Sequence, residues 1–224
     1  MTKSGRRSAS RRRFTPADRM TARVTDAGRR VWNVNIHDDA RLAAAVPAGA
    51  RAALDVGCGD GFLAARLAES LPTVVAVDRD EGVLERARAR FPDVRLEWRL
   101  ADVFELAPAE ARFDAVVSNA TLHHLPDTRR ALEHLGSLVE PGGVLGVVTF
   151  VRPRVRDLPW VAVAWVARGI AIRMRGKWEH TAPTQWPPKD TLGDLRRIAK
   201  EVLPGSTVKR LLYGRVMLEW RRGR

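Results

Sequence analysis

The chain has 224 residues, 45% of them apolar, which is enough for one domain with a buried core. A single cysteine, Cys58, excludes an internal disulfide framework and fits a reducing cytoplasm. The formal charge of +13 is uneven: residues 1–30 hold ten Lys/Arg against two Asp, residues 31–150 twelve against eighteen acids, and residues 151–224 seventeen against six.

Residues 1–30 read as a basic tail. "MTKSGRRSASRRR" has too little apolar content to fold and is expected to be disordered. "SRRRF" resembles a twin-arginine export signal, but no apolar segment follows it, so export is not expected. The basic ends could meet nucleic acid, lipid headgroups or an acidic substrate. With 34 Arg to 5 Lys, a solvated arginine-rich surface explains the same composition, and no nucleic-acid partner is required.

Residues 31–224 read as one domain. "DARLAAAVPAG" predicts a short helix stopped by Pro47 and Gly49. An alternation of strand and helix signals follows. "AALDV" predicts a buried strand, "FLAARLAESL" a helix ended by Pro72, "TVVAVD" a second strand and "EGVLERARARF" a second helix stopped before Pro92. "VRLEWRLADV" holds a third strand, "FDAVVSN" a fourth, "DTRRALEHLGSLV" a helix capped by Asp127, and "GGVLGVVTF" a fifth strand. Strands that are apolar throughout, separated by helices, predict a doubly wound α/β domain with a mostly parallel sheet covered on both faces. Ligands of such a sheet bind at the carboxyl ends of its strands. After Phe150 the rhythm breaks into an insertion at about 151–187. "TLGDLRRIAKEVL" then predicts a helix, and "TVKRLLYGRVMLEW" two short antiparallel edge strands.

The sequence "ALDVGCGDGF" places Gly57, Gly59 and Gly61 after the first strand. A dinucleotide loop of the G-x-G-x-x-G type needs its third glycine at position 62, where Phe62 stands. Asp55, Asp60, Asp78 and Asp80 surround the loop and would repel a diphosphate, whereas a ligand of cationic character is accommodated. Asp78 ends the second strand, placed for ribose hydroxyls. Asp102 ends the third beside the same crevice, placed for an adenine amine, with Val103 to pack on the ring.

These motifs, in the order "LDVGCGDG", "VVAVDRDEGVLERAR", "LADVF", "FDAVVSNATLHHLPD" and "LVEPGGVLGVVTF", resemble the class I S-adenosylmethionine-dependent methyltransferases from about Arg51 to Phe150. The resemblance implies a seven-stranded sheet with an antiparallel final hairpin and S-adenosyl-L-methionine as cofactor. It assigns the methionine and ribose parts to Gly57, Cys58, Gly59 and Gly61, the ammonium end to Asp55, the ribose to Asp78 and the adenine to Asp102. Arg79 and Val103 would flank the adenine, and the backbone of Ser118 and Asn119 would meet the methionine part.

The candidates for a general base are His124, which follows the fourth strand, and His180 in the insertion, with His37 a weaker third. Cys58 reads as a small filler of the loop. No metal-ligand spacing appears among the five histidines and the cysteine. The insertion segment "PWVAVAWVARGIAIRMRGKW" has three open readings: a lid over an apolar or amphipathic small-molecule acceptor, an interfacial helix giving peripheral membrane contact, or a helix packed on the sheet edge. Its apolar run is broken by Arg168 and is too short to span a bilayer, so a soluble cytoplasmic protein is expected. O- or C-methylation of a small molecule is the leading reading. An RNA-binding or RNA-modifying methyltransferase is the alternative, opposed by the lack of an N/D-P-P-Y/F motif after the fourth strand, and an NAD-dependent dehydrogenase is the third.

Overall fold

A computed structural model describes residues 25–26, 29–30, 32–108, 112–179 and 187–224. A two-residue hairpin, Thr25–Asp26 with Arg29–Arg30, precedes the domain. Of the tail expected to be disordered over residues 1–30, only these four residues are described, and 1–24 and 27–28 lie outside the described residues.

The domain starts with α1 (Val34–Ala45), then β1 (Ala52–Val56), α2 (Phe62–Ala68), β2 (Thr73–Asp78), α3 (Glu81–Arg90) and β3 (Glu97–Leu100). It continues with β4 (Phe113–Asn119), α4 (Thr128–Ser137), β5 (Val139–Thr149), α5 (Leu158–Arg175), α6 (Leu192–Val202), β6 (Thr207–Arg210) and β7 (Val216–Arg221). The strands form one sheet in the order β3-β2-β1-β4-β5-β7-β6, parallel through β5, with β7 antiparallel to both β5 and β6. This is the expected α/β architecture with its final hairpin.

Alternation along the central strands sends side chains to two cores. Leu54, Val56, Val116 and Leu145 pack with Leu132 and Leu135 of α4 and Leu195 of α6. Ala53, Ala76, Val117 and Val148 pack with Leu42 of α1 and Leu63 and Leu67 of α2. The connections turn in opposite directions from β1 and β4, so the crevice opens where those two strands end.

Several elements differ from their predicted bounds, among them β5, which begins at Val139 ahead of the predicted "GGVLGVVTF". α1 starts at Val34, earlier than the alanine-rich stretch suggested, because the Asn33 side chain accepts from the Ile36 N–H at 2.8 Å and Val34 and Ile36 are buried. α2 ends at Ala68 with Glu69 as its cap, short of the predicted Leu71, the residue at which Pro72 disfavours helical backbone. β3 spans only Glu97–Leu100, which pairs with β2 alone at the sheet edge. The insertion contains an 18-residue helix, α5, with Pro159 in its first turn and Gly176 past its end.

Candidate active site

The carboxyl ends of β1, β2 and β4 and the loop after β3 surround one cavity of about 260 Å³. Its floor is the glycine loop. Gly57 N and Cys58 N both donate to the Val77 carbonyl, at 2.8 and 3.0 Å, which draws the loop tightly over the end of β2. At Gly57 (φ +67°) an added Cβ would overlap the Thr121 side chain. At Gly61 (φ +83°) it would come within 2.7 Å of the Trp98 ring. Both positions therefore need glycine for space as well as for the left-handed backbone.

The acids are held in different ways. The Asp78 carboxylate accepts from Gly59 N at 2.9 Å and from Asp80 N at 3.1 Å, so it fixes the loop while lining the cavity. Asp102 accepts from Phe104 N at 2.9 Å through one oxygen. Asp60 is 3.2 Å from the Arg90 guanidinium, which removes part of the negative charge expected at the loop. Asp55 is buried and lines the cavity, and its Oδ2 has no hydrogen-bond partner among the described residues. Burial, followed by Asp39 and Asp78, holds its carboxyl well above the usual range. A buried, unpartnered carboxylate oxygen in a cavity is a costly feature that a cationic ligand relieves.

Gly57, Cys58, Gly59, Gly61, Arg79, Val103, Asn119 and His124 all line the cavity. Ser118 does not: its hydroxyl donates to the Val56 carbonyl at 3.0 Å, since it shares the strand face of Val116 rather than that of Asn119. Cys58 is buried, and burial raises its thiol pKa, which suits a filler better than a nucleophile. The His124 ring packs against His123 at 4.2 Å between centroids. Burial, then His124 and Arg215, pushes His123 down to about 3, so that ring is neutral at physiological pH. His37 packs edge-on to Tyr213 and is not among the lining residues. His180 lies outside the described residues.

Further residues line the cavity that carry no local signal of it. Asn33, Asn35, Ile36 and Asp39, from α1 and its cap, close one side of the cavity, and Trp178 closes another. Asn119 ties α1 to β4: its amide donates to Asp39 Oδ1 at 2.6 Å and to the Asn35 carbonyl at 2.9 Å, and its oxygen accepts from Arg215. Arg215 is fully buried and pairs with Asp38 at 3.1 Å. Burial pushes Asp39 up to about 7, opposed by the hydrogen bond from Asn119. These pairs join residues far apart in sequence, and nothing local to either partner announces them.

Residues 53–143 match the family model of a methyltransferase domain. The chain is 56% identical over 190 residues to an uncharacterized methyltransferase of Mycobacterium tuberculosis, an alignment covering 85% of this chain and 96% of that one. The chain belongs to the class I S-adenosylmethionine-dependent methyltransferases. A demethylmenaquinone methyltransferase of Clavibacter sepedonicus is 30% identical over 191 residues, covering 81% of this methyltransferase and 76% of the relative. The fold matches that of the N-methyltransferase NodS from Bradyrhizobium japonicum, solved with S-adenosylhomocysteine, at a TM-score of 0.56 and 18% identity, covering 84% of this chain and 86% of that one.

The methyltransferase uses S-adenosylmethionine, and the residues present suit it. The orphan Asp55 oxygen offers a partner for an ammonium group, and the carboxylates at the ends of β2 and β3 offer acceptors for hydroxyls and an amine.

Proposed function

We propose that this methyltransferase transfers the methyl group to an oxygen or carbon of a small-molecule acceptor of apolar or amphipathic character. In this reading Asp55 takes the cofactor's ammonium, Asp78 its ribose hydroxyls, and Asp102 with Arg79 and Val103 its adenine. The unpartnered Asp55 Oδ2 at the cavity wall carries the reading, because it is a buried acceptor with no other evident use. The kinship with a demethylmenaquinone methyltransferase supports a small molecule as acceptor.

The bound cofactor supplies a methyl group on a positively charged sulfur, displaced in line by the acceptor. The chain's own part is to orient and to exclude water. α1 and Trp178 both line the crevice, and Trp178 is itself held by its backbone N–H donating to the Trp32 carbonyl at 2.9 Å and by its ring packing edge-on to Phe62 at 5.0 Å between centroids. His124, on the same cavity, is placed to take the acceptor's proton. Replacing it with Ala is expected to lower turnover about a hundredfold, the usual weight of a general base, with S-adenosylhomocysteine affinity unchanged. Equal turnover would remove His124 from the mechanism.

Labelled methyl groups offered with cell extract are expected to appear in an organic-soluble small molecule. Label confined to RNA or protein would refute the acceptor class.

Asp39 gives the cofactor step a pH signature. Its carboxyl sits near 7 in the free protein. An ammonium group arriving beside Asp39 and Asp55 lowers both, so binding releases protons, and Asp39 contributes a step in which affinity rises with pH through about 7. Calorimetry with S-adenosylhomocysteine in two buffers of different ionisation heat is expected to show this release. In Asp39→Asn the step near pH 7 should disappear, and an unaltered step would exclude Asp39 as its source.

A further inference from the structure

Helix α5 is built the wrong way round for a helix whose only task is to pack on the sheet. Its inner face is anchored by small residues: Ala164 and Ala171 are its buried positions, and Gly214 in the β6–β7 turn leaves Ala164 room to approach. Trp160 fixes the first turn by donating to the Leu211 carbonyl at 3.1 Å. The large apolar side chains point outward instead. Leu158, Val163, Val166 and Ile170 are exposed, and Trp165 and Met174 are each 78% exposed. A contiguous exposed apolar face of this kind marks an interaction surface.

Charge says which kind. Arg152, Arg154 and Arg156 precede the helix, Arg173 and Arg175 close its last turn, and Arg168 lies between Val166 and Ile170. The one acid between Arg152 and Trp178 is Asp157, which is buried and paired with Arg210. A second copy laid on this face, parallel or antiparallel, would set arginine-bearing ends against arginine-bearing ends. An apolar strip with cationic ends instead complements the acyl-headgroup boundary of an anionic bilayer. Among the described residues no helix is long and apolar enough to cross a membrane, so α5 would lie in the surface.

We propose that the outer face of α5 docks on anionic lipid, with Trp165, Val166 and Ile170 in the acyl boundary and Arg168 and Arg173 against the phosphates. The chain leaves α5 at Gly176 and reaches Trp178, a wall of the cavity, two residues later. Docking therefore holds the cavity wall beside the bilayer, from which an apolar acceptor can be drawn. That source of acceptor rests on the small-molecule methyltransferase reading above, whereas the docking itself does not.

The test is flotation of the full chain with vesicles of phosphatidylcholine, alone or mixed with phosphatidylglycerol. Calorimetry with S-adenosylhomocysteine is run on the same preparations. The chain is expected to float with the mixed vesicles at low salt, less at high salt, and poorly with phosphatidylcholine alone. Trp165→Asp with Ile170→Asp should cut the bound fraction about tenfold or more, because a carboxylate replaces each inserted apolar group. Arg168→Gln with Arg173→Gln should weaken binding about fivefold per arginine. All four positions are exposed and outside the cavity, so cofactor affinity and Tm should not fall. No flotation of the unaltered chain at low salt would overturn the proposal, as would flotation that survives the aspartates, which would place binding elsewhere. A dimer in sedimentation equilibrium that the aspartates dissolve, without lipid binding, would assign the face to a second copy and overturn it too. Loss of cofactor binding alone would instead count against the enzymatic reading and leave the docking surface standing.

Discussion

Arg215→Met is expected to lower the unfolding free energy by about 3–5 kcal/mol, the usual consequence of removing one member of a buried ion pair. The guanidinium is fully buried and binds Asp38 Oδ2 at 3.1 Å, the Val34 carbonyl at 3.2 Å and the Asn119 oxygen, with its cationic carbon 5.0 Å from the centre of the Phe150 ring. Methionine fills much of the volume but leaves the Asp38 carboxylate, the Val34 carbonyl and the Asn119 oxygen without that donor. Asp38 is already held above its usual pKa by burial, and without Arg215 it rises further. Its folded-state pKa then lies above its unfolded value, so the folded variant binds a proton that the unfolded chain gives up. The deficit should be fully developed above the folded pKa and shrink as pH falls towards the ordinary carboxylate range. Denaturant unfolding at several pH values measures this. Adding Asp38→Leu to Arg215→Met should recover part of the loss by removing the orphaned charge. A pH-independent deficit, or none, would show that the pair does not hold α1 to the sheet.

Asp78→Ala is expected to weaken S-adenosylhomocysteine binding at least a hundredfold. A charged hydrogen bond is worth roughly 1.5–3 kcal/mol, and the proposed ribose contact has two hydroxyls to satisfy. The same carboxylate accepts from Gly59 N and Asp80 N, so its loss also frees the loop that forms the cavity floor. Asp78→Asn keeps one acceptor oxygen and should fall between the two. Calorimetry gives the affinities. An unchanged affinity in Asp78→Ala would move the ribose elsewhere and with it the orientation of the whole cofactor.

The central parallel strands were legible because they are apolar throughout and are separated by helices with clear stops, which fixes both their kind and their order. The loop acids were legible for a similar reason: Asp55, Asp78 and Asp102 fall at the ends of three successive strands, and the doubly wound topology brings strand ends to one crevice. The segment Ser118–Asn119 was read for its backbone; strand alternation sends the two side chains to opposite faces, so that Asn119 lines the cavity and the Ser118 hydroxyl turns to Val56. The start of α1 was missed since its signal is one cap residue, Asn33, ahead of a first turn, Val34–His37, whose apolar and polar residues alternate with the period of a strand. Asp39, Arg215 and Trp178 could not be found from sequence, because each owes its role to partners brought close only by the tertiary fold. For α5 the apolar composition was plain. Which side faced outward was not, since a helix apolar on nearly every side has no periodic signal to orient it.

In a crystal structure of the methyltransferase with S-adenosylhomocysteine, the amino group is expected on Asp55 Oδ2, the ribose hydroxyls on Asp78 and the adenine beside Asp102 and Val103. A nucleoside seated elsewhere, or an Asp55 Oδ2 still without a partner in the complex, would contradict that placement.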